Sequence, residues 1–584
     1  MSKINVTVNG RPVEIEAGGT ILDAARAAQV RVPTLCHIEG LEPSGSCRIC
    51  SVEVEGRRTL LPACAEPAAD GMQIKTNTPR VLAARRQMIQ LLLANHPDDC
   101  LYCMRAGDCD LQQMAQEVGI RERAWRRGEH RTHAMDRSSP SVVRDPNKCI
   151  LCGKCVRICD EIQGVAAIDH AGRGFDSYVL PAFDDELAST VCVNCGQCVA
   201  ICPTGALVER SDLARVWRYL ADDSYVTVVQ TAPAVRAALG LVYGLSGNEA
   251  EARMATALRD MGFDYVFDTQ YTADLTIMEE GSELLQRVKE GGPLPLITSC
   301  SPGWIKFAEH FYPEFLANLS TCKSPQQMLG AMVKNYWAEE MGVPAEKVRV
   351  ISVMPCTAKK FEAERPEMET GAGRDVDAVI TTRELIRAFD EMGLDFDRIE
   401  PGEFDEFLGK SSGAGAIFGA TGGVAEAALR TVYNLLTGEN PGPKDFEAVR
   451  GLDGVKEIEL TLPDDTVLRG AVVHGLGNAR RLMDRVAAGE AEYAFIEVMA
   501  CPGGCVGGGG QPYGADAERT AKLAGELYQI DDERVLRFSH ENPEILKAYE
   551  EYLGEPLGDT SHRLLHTTYR GRSKFSSEGE EDES

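Results

Sequence analysis

Cysteine is the residue type whose number and spacing could do chemistry in this chain. There are 20 cysteines among 584 residues, and 15 of them precede residue 203. Two runs with the spacing C-x2-C-x2-C-x3-C can each hold three corners of a 4Fe-4S cubane and send the fourth thiolate to the neighbouring cluster. Zinc is disfavoured because the twin runs leave no closed tetrahedral set. The predicted ligand sets are Cys149, Cys152, Cys155 with Cys202, and Cys192, Cys195, Cys198 with Cys159.

The first 64 residues predict a smaller cluster domain. Residues 4–18 read as two alternating strands around an Asn9-Gly10 turn, and Thr20 is placed to cap an alanine-rich helix. This order is typical of a β-grasp fold. The cysteines that follow have x10, x2 and x13 spacings, which resemble the 2Fe-2S domain of the complex I electron-input subunit; a structural zinc is the alternative. The predicted ligands are Cys36, Cys47, Cys50 and Cys64.

A third group has only three cysteines, so a cubane there needs another donor. His96 precedes the C-x2-C pair by one turn and can supply it, as in complex I relatives; an ordinary core or surface histidine is the alternative. The predicted ligands are His96, Cys100, Cys103 and Cys109. Four such clusters make an electron relay rather than a catalyst, because the ligands fill the iron positions.

The second half of the sequence has three apolar runs that each end at a cysteine, namely Cys300, Cys356 and Cys501. We interpret them as buried strands, and the carboxyl ends of strands are where open α/β sheets place ligand sites. The glycine-rich stretch 501–510 lets backbone amides approach a ligand closely. Residues 377–385 and 415–423 predict further βα alternation. Spacing alone predicts a fifth iron–sulfur cluster, held by widely separated cysteines.

Three segments carry a family resemblance: TSCSPGW at 298–304, MPCTAKKFEAE at 354–364 and EVMACPGGCVGGGGQP at 497–512. They closely resemble the signature motifs of iron-only (FeFe) hydrogenases. The resemblance implies an H-cluster, in which a 4Fe-4S cubane shares a cysteine with a diiron centre carrying carbon monoxide, cyanide and a bridging dithiolate. It also implies interconversion of protons, electrons and dihydrogen.

The same resemblance assigns roles to individual residues. Cys505 is expected to be the bridging thiolate, and Cys356 and Cys501 terminal ligands. Lys359 is expected to donate a charge-assisted hydrogen bond to a cyanide. The pocket wall is expected to include Pro233, Ala234, Gln326, Met354 and Met499.

The first motif departs from the family form, which has two adjacent cysteines, one carrying protons and one binding the cubane. Here the pair is Cys300-Ser301. The register to Cys356 puts Ser301 at the cubane position, but an iron–sulfur cluster prefers a soft thiolate. We therefore expect Cys300 to be the fourth cubane ligand, and hold Ser301 as the proton carrier. The opposite assignment is the alternative.

A buried site that handles protons needs titratable groups leading to solvent. Glu280 and Glu283 are spaced i, i+3 on a predicted helix, so both can face one side. An acidic pair like this is usually a solvated face. The family resemblance instead implies a proton route through Glu280, Glu283 and Ser320. Cys322 is left over and is expected to be a buried structural thiol.

The length and charge bound the other possibilities. A 63.5 kDa chain is expected to form several domains, and its formal net charge of −28 opposes nucleic acid and anionic membranes as partners. We find no export signal or membrane span, and so expect a cytoplasmic location.

The expected fold class is multidomain α+β and α/β, with these units: a 2Fe-2S β-grasp domain at 1–78, a His/Cys3 4Fe-4S domain at 79–138, a ferredoxin-like domain with two 4Fe-4S clusters at 139–209, a two-lobed α/β catalytic domain at 210–515, a helical small-subunit-like segment at 516–574 and a disordered acidic tail at 575–584.

We interpret the chain as a hydrogenase catalytic subunit. The favoured version is part of a complex with a flavin- and NAD(P)-binding subunit and small 2Fe-2S subunits, with or without ferredoxin in a bifurcating reaction. Nicotinamide chemistry would occur on another subunit, because no Rossmann fingerprint follows a strand in this sequence. The alternatives are a self-sufficient ferredoxin-linked hydrogenase, a hydrogen sensor, which would need a signalling domain, and a complex I-like electron-transfer subunit.

Overall fold

The computed structural model describes residues 2–125, 132–371, 373–442, 446–461, 467–514 and 516–574. The expected acidic tail at 575–584 lies outside this range. The N-terminal unit is a mixed sheet with strand order β2-β1-β5-β3-β4 and one helix. Its elements are β1 Lys3–Val8, β2 Arg11–Glu16, α1 Ile21–Ala27, β3 Ser51–Val54, β4 Leu61–Pro62 and β5 Gln73–Lys75.

The local signals in this unit are confirmed. Asn9 and Gly10 have φ of 51° and 83°, the left-handed pair that a two-residue hairpin turn requires. Thr20 caps α1 in a reciprocal capping box with Asp23, which satisfies two amides at the helix start. The helix also holds the end of the 36–64 loop, because Leu22 N donates to Ala63 O at 2.9 Å.

The next unit is built from short elements around cysteine loops. Two helices precede it and two small antiparallel ladders, β6 with β9 and β7 with β8, frame it. Its elements are α2 Pro79–Ala94, α3 Asp110–Glu117, β6 Val142–Arg144, α4 Lys154–Arg157, β7 Asp169–Ala171, β8 Tyr178–Leu180, α5 Gln197–Ile201 and β9 Leu207–Glu209. Helices α4 and α5 each begin after a left-handed glycine, Gly153 and Gly196, so the two cysteine runs fold alike.

The largest unit has two four-stranded sheets. One is fully parallel in the order β11-β10-β13-β14, and the other is β12-β17-β16-β15, with only β15 antiparallel. The strands are β10 Val226–Thr231, β11 Tyr265–Asp268, β12 Leu296–Ile297, β13 Val348–Met354, β14 Ala378–Thr381, β15 Val455–Thr461, β16 Val467–His474 and β17 Phe495–Met499. The three predicted strands before Cys300, Cys356 and Cys501 are β12, β13 and β17.

Helices cover both sheets and continue into the C-terminal segment. They are α6 Leu213–Leu220, α7 Pro233–Tyr243, α8 Gly247–Asp260, α9 Thr269–Glu290, α10 Pro302–Phe311, α11 Pro325–Met332, α12 Ala338–Glu340, α13 Ala358–Ala363, α14 Thr382–Met392, α15 Gly413–Ile417, α16 Gly423–Thr437, α17 Leu476–Ala487, α18 Ala517–Glu533, α19 Pro543–Ala548 and α20 Asp559–Leu565. Within the described residues, no helix is long and apolar enough to cross a membrane.

One predicted βα unit is wrong. Residues 415–423 were expected to contain a strand, but they form the end of α15, a turn and the start of α16. Ser412 caps α15 by accepting a hydrogen bond from Gly415 N. A Cβ at Gly415 would lie 2.7 Å from Gln270 O, so α15 packs directly on the backbone of α9. The small residues of this segment allow the two helices to pack closely. In the sequence, the same residues look like the apolar run of a buried strand.

A buried ion pair joins the ferredoxin-like unit to the catalytic unit. Arg383 on α14 donates to Glu209 Oε2 at 3.1 Å and to Gly509 O at 2.6 Å. Glu209 ends β9 and is fully buried. The same guanidinium thus holds the chain after the second cysteine run and the glycine-rich loop after Cys505.

The C-terminal segment wraps the catalytic unit. Thr567 N donates to Thr321 O at 2.7 Å, and the Tyr569 hydroxyl donates to Ser320 O at 3.0 Å. Arg572 pairs with the buried Glu309 at 2.6 Å. Residues 566–572 therefore cover the stretch 320–322.

Candidate active site

The N-terminal cysteines converge in one loop region. Cys50 Sγ lies 3.4 Å from Cys64 Sγ, and Cys36, Cys50 and Cys64 are buried. Hydrogen bonds from the Cys47 and Cys64 thiols lower the pKa of Cys36. Four thiols this close, with one favouring the thiolate, form a donor set that fits a 2Fe-2S cluster.

One ring nitrogen of His96 is available to bind a metal. Its Nδ1 contacts Pro97 O at 3.0 Å, while its buried Nε2 has no hydrogen-bond partner among the described residues. Burial lowers the pKa of this imidazole, which keeps it in the neutral form that binds metals. Gly205 packs on the group, since a Cβ there would lie 2.6 Å from Cys103 Sγ. Cys100 is exposed and Cys103 and Cys109 are half-buried.

The structure brings each predicted ferredoxin-like set together. The first set lines one apolar cavity, whose cysteines are Cys149, Cys152, Cys155 and Cys202. In the second set, burial raises the pKa of Cys198, and the charges of Cys195, Cys192 and Cys159 raise it further. The last cysteine of each run thus lies with the first three cysteines of the other run; that these sets bind the two clusters stays a prediction.

A second apolar cavity lies where the two large sheets meet. It is lined by residues that follow β12, β13 and β17, and by parts of α7, α9, α11 and α13. Residues of the family motifs that line it are Cys300, Met354, Cys356, Lys359, Met499 and Cys505, joined by Pro233 and Gln326. Ala234, also expected in the wall, lies behind it and accepts a hydrogen bond from Gln511 at 3.1 Å. The strand ends thus converge as the α/β edge rule predicts.

Lys359 places a buried cation at this cavity. Its ammonium lies 2.9 Å from Glu362 Oε2 and donates to Cys300 O at 3.1 Å. Glu362 also accepts from Ser324 at 2.8 Å and Gln326 at 3.1 Å. Because the carboxylate offsets the cost of burying the charge, the ammonium can still donate to an anionic ligand in the cavity.

The cavity lies directly beside the second ferredoxin-like cysteine set. Burial raises the pKa of Cys195, and the charge of Cys501 raises it further, so these two thiols are neighbours. Gln197 Nε2 donates to Gly507 O at 2.8 Å. A Cβ at Gly509 would lie 2.2 Å from Cys195 O, so glycine allows the two loops to touch. Electrons can therefore pass between the two groups over a short distance.

A line of polar groups leads away from the cavity along α9. Burial raises the pKa of Glu280 to about 8, although the Ser320 hydroxyl beside it favours the charged form. The Ser320 hydroxyl also donates to Glu283 Oε2 at 3.2 Å. Arg287 then pairs with Glu283 Oε1 at 2.6 Å. Cys300 lines the cavity from which this line starts. Burial raises the pKa of its thiol, and the charge of Glu280 raises it further.

Sequence reasoning missed Arg287, although its i, i+4 spacing from Glu283 was a usable signal. Cys322 is fully buried. Its sulfur lies within 4.8 Å of a Glu283 carboxylate oxygen and a His566 nitrogen. His566 also pairs with Glu279 at 3.1 Å. The C-terminal segment thus places a buried histidine, His566, beside the route.

Fold and site together define a metalloenzyme in which a cysteine-lined relay feeds one buried catalytic cavity. Family models match most of the chain: "Iron only hydrogenase large subunit, C-terminal domain" at 225–509 and "Iron hydrogenase small subunit" at 517–572. A 2Fe-2S binding domain matches 1–79, the NADH-ubiquinone oxidoreductase-G iron–sulfur region matches 85–124, and the ferredoxin-like domain of NADH-quinone oxidoreductase subunit 3 matches 139–208.

Individual proteins similar to this chain are also hydrogenases or hydrogenase subunits. The chain is 51% identical to NADP-reducing hydrogenase subunit HndD of Solidesulfovibrio fructosivorans, covering 98% of this chain and 100% of that protein. It is 39% identical to iron hydrogenase 1 of Clostridium pasteurianum, covering 97% and 99%. A solved [FeFe]-hydrogenase HydA1 of Chlamydomonas reinhardtii is 44% identical with a TM-score of 0.56, covering 62% and 100%.

The chain belongs to the iron-only (FeFe) hydrogenase family. It is an enzyme that carries iron–sulfur clusters and an H-cluster and catalyses the reversible oxidation of dihydrogen. The family assignment made from the three motifs is confirmed, as is the mixed α/β multidomain fold.

Proposed function

We propose that this hydrogenase works in a complex and passes electrons from dihydrogen to a flavoprotein subunit that reduces NADP or NAD. The contact between the second ferredoxin-like cysteine run and the glycine-rich loop carries the proposal, because it joins the relay to the catalytic unit: Gln197 Nε2 donates to Gly507 O at 2.8 Å. The full-length similarity to an NADP-reducing hydrogenase subunit supports the nicotinamide link. The chain itself has no Rossmann fingerprint after a strand, so the nucleotide would bind to another subunit.

The relay would hold one 2Fe-2S and three 4Fe-4S clusters in the domains bounded at 1–78, 79–138 and 139–209, each on the ligand set described above. In the catalytic domain, 210–515, Cys505 would bridge the cubane and the diiron centre, and Cys356 and Cys501 would hold the cubane. The H-cluster, when bound, supplies the iron that cleaves dihydrogen.

The protein's own groups would then handle charge and protons. Lys359 would donate into the cavity towards a cyanide ligand of the H-cluster, and Met354 and Met499 would give the cavity apolar walls. Cys300 lines the cavity and would pass protons between it and Glu280, whose charge, after burial, raises the pKa of the Cys300 thiol. Ser320 and Glu283 continue that route towards Arg287.

Two measurements test the proposal. Infrared spectra of the matured chain should show carbon monoxide and cyanide stretches. Native copurification should recover a flavoprotein, with small 2Fe-2S subunits, that reduces NADP or NAD with dihydrogen. A native enzyme that runs as a lone chain and exchanges electrons fully with ferredoxin would contradict the complex and favour the self-sufficient alternative.

A further inference from the structure

We propose that the buried charge of Arg105 raises the reduction potentials of two relay clusters. These are the His/Cys3 cluster and the first ferredoxin-like cluster, whose predicted ligands include Cys202. The inference rests on the proposed function, because it presumes that both ligand sets described above hold 4Fe-4S clusters. It concerns how readily this part of the relay accepts electrons.

Arg105 lies where the two ligand sets meet. It belongs to the loop that joins Cys103 to Cys109, and its Nη1 donates to the backbone oxygen of Cys202 at 2.8 Å. A Cβ at Gly205 would lie 2.6 Å from Cys103 Sγ and 3.9 Å from Arg105 Cβ. The side chain therefore starts beside one ligand set and ends at the backbone of the other.

The guanidinium is buried without a carboxylate beside it. Arg105 is 2% exposed, and among the described residues no carboxylate oxygen lies within 4.0 Å of it. Its hydrogen bonds go to the backbone oxygens of Cys202 and, at 2.7 Å, of Asp108. Lys148, another buried cation at this junction, instead pairs with Asp99 at 3.0 Å. Because an unpaired buried charge is costly, Arg105 needs negative charge from another group.

The two clusters would supply that negative charge. Net charge is one of the factors that set the potential of an iron–sulfur cluster, and reduction adds one electron to it, so a nearby cation favours the reduced form. Ordinary bond lengths place the Cys202 sulfur within about 8 Å of the guanidinium. At about 8 Å and an effective dielectric constant of about 20, a unit charge changes the equilibrium for adding an electron more than tenfold.

The step that this charge affects is the transfer of one electron between the two clusters. One cluster is oxidised and the other is reduced, and no bond forms or breaks. For a one-electron couple, a tenfold change in that equilibrium corresponds to about 59 mV.

An aromatic ring from the catalytic unit holds the guanidinium in place. Arg105 Cζ lies 3.6 Å from the centre of the Tyr513 ring, which is close enough for a stacked cation–π contact. The Tyr513 hydroxyl donates to Glu209 Oε2 at 3.3 Å. Arg383 lies 4.3 Å from the centre of the same ring and pairs with Glu209. The buried ion pair therefore fixes the ring that covers Arg105.

The test uses the full-length chain produced without diiron maturation. Redox-titrated EPR gives the midpoint potentials, and iron per chain gives the cluster content, for wild type, Arg105→Gln, Arg105→Lys and Tyr513→Leu. The signals of the two clusters are identified as those lost in His96→Ala and in Cys149→Ala. The matched control is Arg86→Gln, which removes the same charge from an exposed position on α2, where solvent and salt screen it.

We expect Arg105→Gln to keep its clusters and to lower both midpoint potentials by at least about 59 mV, a tenfold change. Arg105→Lys keeps the charge but not the forked donor geometry, so it should lower them by less than half as much. Tyr513→Leu should also lower them, because water then reaches the guanidinium. Arg86→Gln should leave them unchanged.

Equal shifts in Arg105→Gln and Arg105→Lys, or no shift in Arg105→Gln, would overturn the inference, because both variants would lose a purely structural role. If Arg105→Gln loses a cluster, the other two variants decide. A cluster lost in Arg105→Lys, or unshifted potentials in Tyr513→Leu, would then overturn the inference. A wild-type chain without the two 4Fe-4S signals would instead contradict the ligand sets of the proposed function.

Discussion

Replacing Glu209 by Gln should weaken the buried ion pair that joins the relay to the catalytic unit. Glu209 is fully buried and accepts from Arg383 at 3.1 Å, Arg387 at 3.3 Å and the Tyr513 hydroxyl at 3.3 Å. The amide keeps the shape but removes the charge. Arg383 would then be a buried guanidinium without a carboxylate, a change that typically costs 3–5 kcal/mol.

The pKa of Glu209 gives a second measure of the same interaction. Burial alone would raise it, but Arg383 and Arg387 outweigh burial and lower the pKa from 4.5 to about 2. A shift of that size corresponds to about 3 kcal/mol. Because the folded pKa is depressed, this stabilisation is full above pH 4.5 and is lost as pH falls from there through about 2. The cost of an unpaired guanidinium and the pKa shift both indicate that the ion pair stabilises the contact between the two units by about 3 kcal/mol. Its loss would change the equilibrium for opening that contact roughly 100-fold.

Hydrogen–deuterium exchange at pH 7 measures this opening locally, which suits a multidomain chain without a single unfolding equilibrium. We expect peptides spanning 203–209 and 505–514 to exchange roughly 100-fold faster in Glu209→Gln. Arg387→Gln is the control, because this partner of the same carboxylate is 30% exposed and should cost at most about 1 kcal/mol. A less than threefold change in Glu209→Gln, or equal effects of both variants, would refute the reasoning.

Glu283→Gln should keep every cluster and the infrared bands but lower turnover roughly 100-fold, because it removes a proton carrier; Glu290→Gln at the end of α9 is the control, and near-wild-type turnover in Glu283→Gln would put the route elsewhere. The chain made without diiron maturation should contain one 2Fe-2S and three accessory 4Fe-4S clusters by EPR and iron analysis, and zinc would contradict the ligand sets. The isolated matured chain should reduce a dye with dihydrogen but neither NAD nor NADP, and either reduction would contradict the need for a partner. Deleting residues 1–78 should weaken flavoprotein binding while dye-linked activity persists, and unchanged binding would place the interface elsewhere.

Local chemistry made much of the fold predictable. The hairpin at Asn9-Gly10 and the cap at Thr20 depend on neighbouring residues, and the three strands that end near cysteines are short apolar runs with few alternatives. The segment 415–423 was misjudged because α15 packs its small residues against the backbone of α9, which is distant in sequence. Short-range patterns do not contain that contact.

The site was predictable in composition but not in orientation. The motifs predicted that cysteines distant in sequence would meet, and Cys356 and Cys505 do line one cavity. Spacing cannot say, however, which way adjacent side chains point. Cys300 and Ser301 differ by one position, and only the start of α10 sends one towards Glu280 and the other towards Ala500. The ion pair between Glu209 and Arg383 joins residues 174 positions apart, so no local sequence pattern indicates it.

The C-terminal segment has a consequence for how the enzyme responds to dilution. Residues 517–572 match a family model described as a small subunit, and here they are covalently continuous with the catalytic unit that they wrap. A separate chain would lose roughly 4–15 kcal/mol of translational and rotational freedom on docking. A tether instead gives the segment an effective concentration of roughly millimolar order. The cover that Tyr569 makes over Ser320 and Thr567 makes over Thr321 should therefore stay equally closed at any concentration of enzyme.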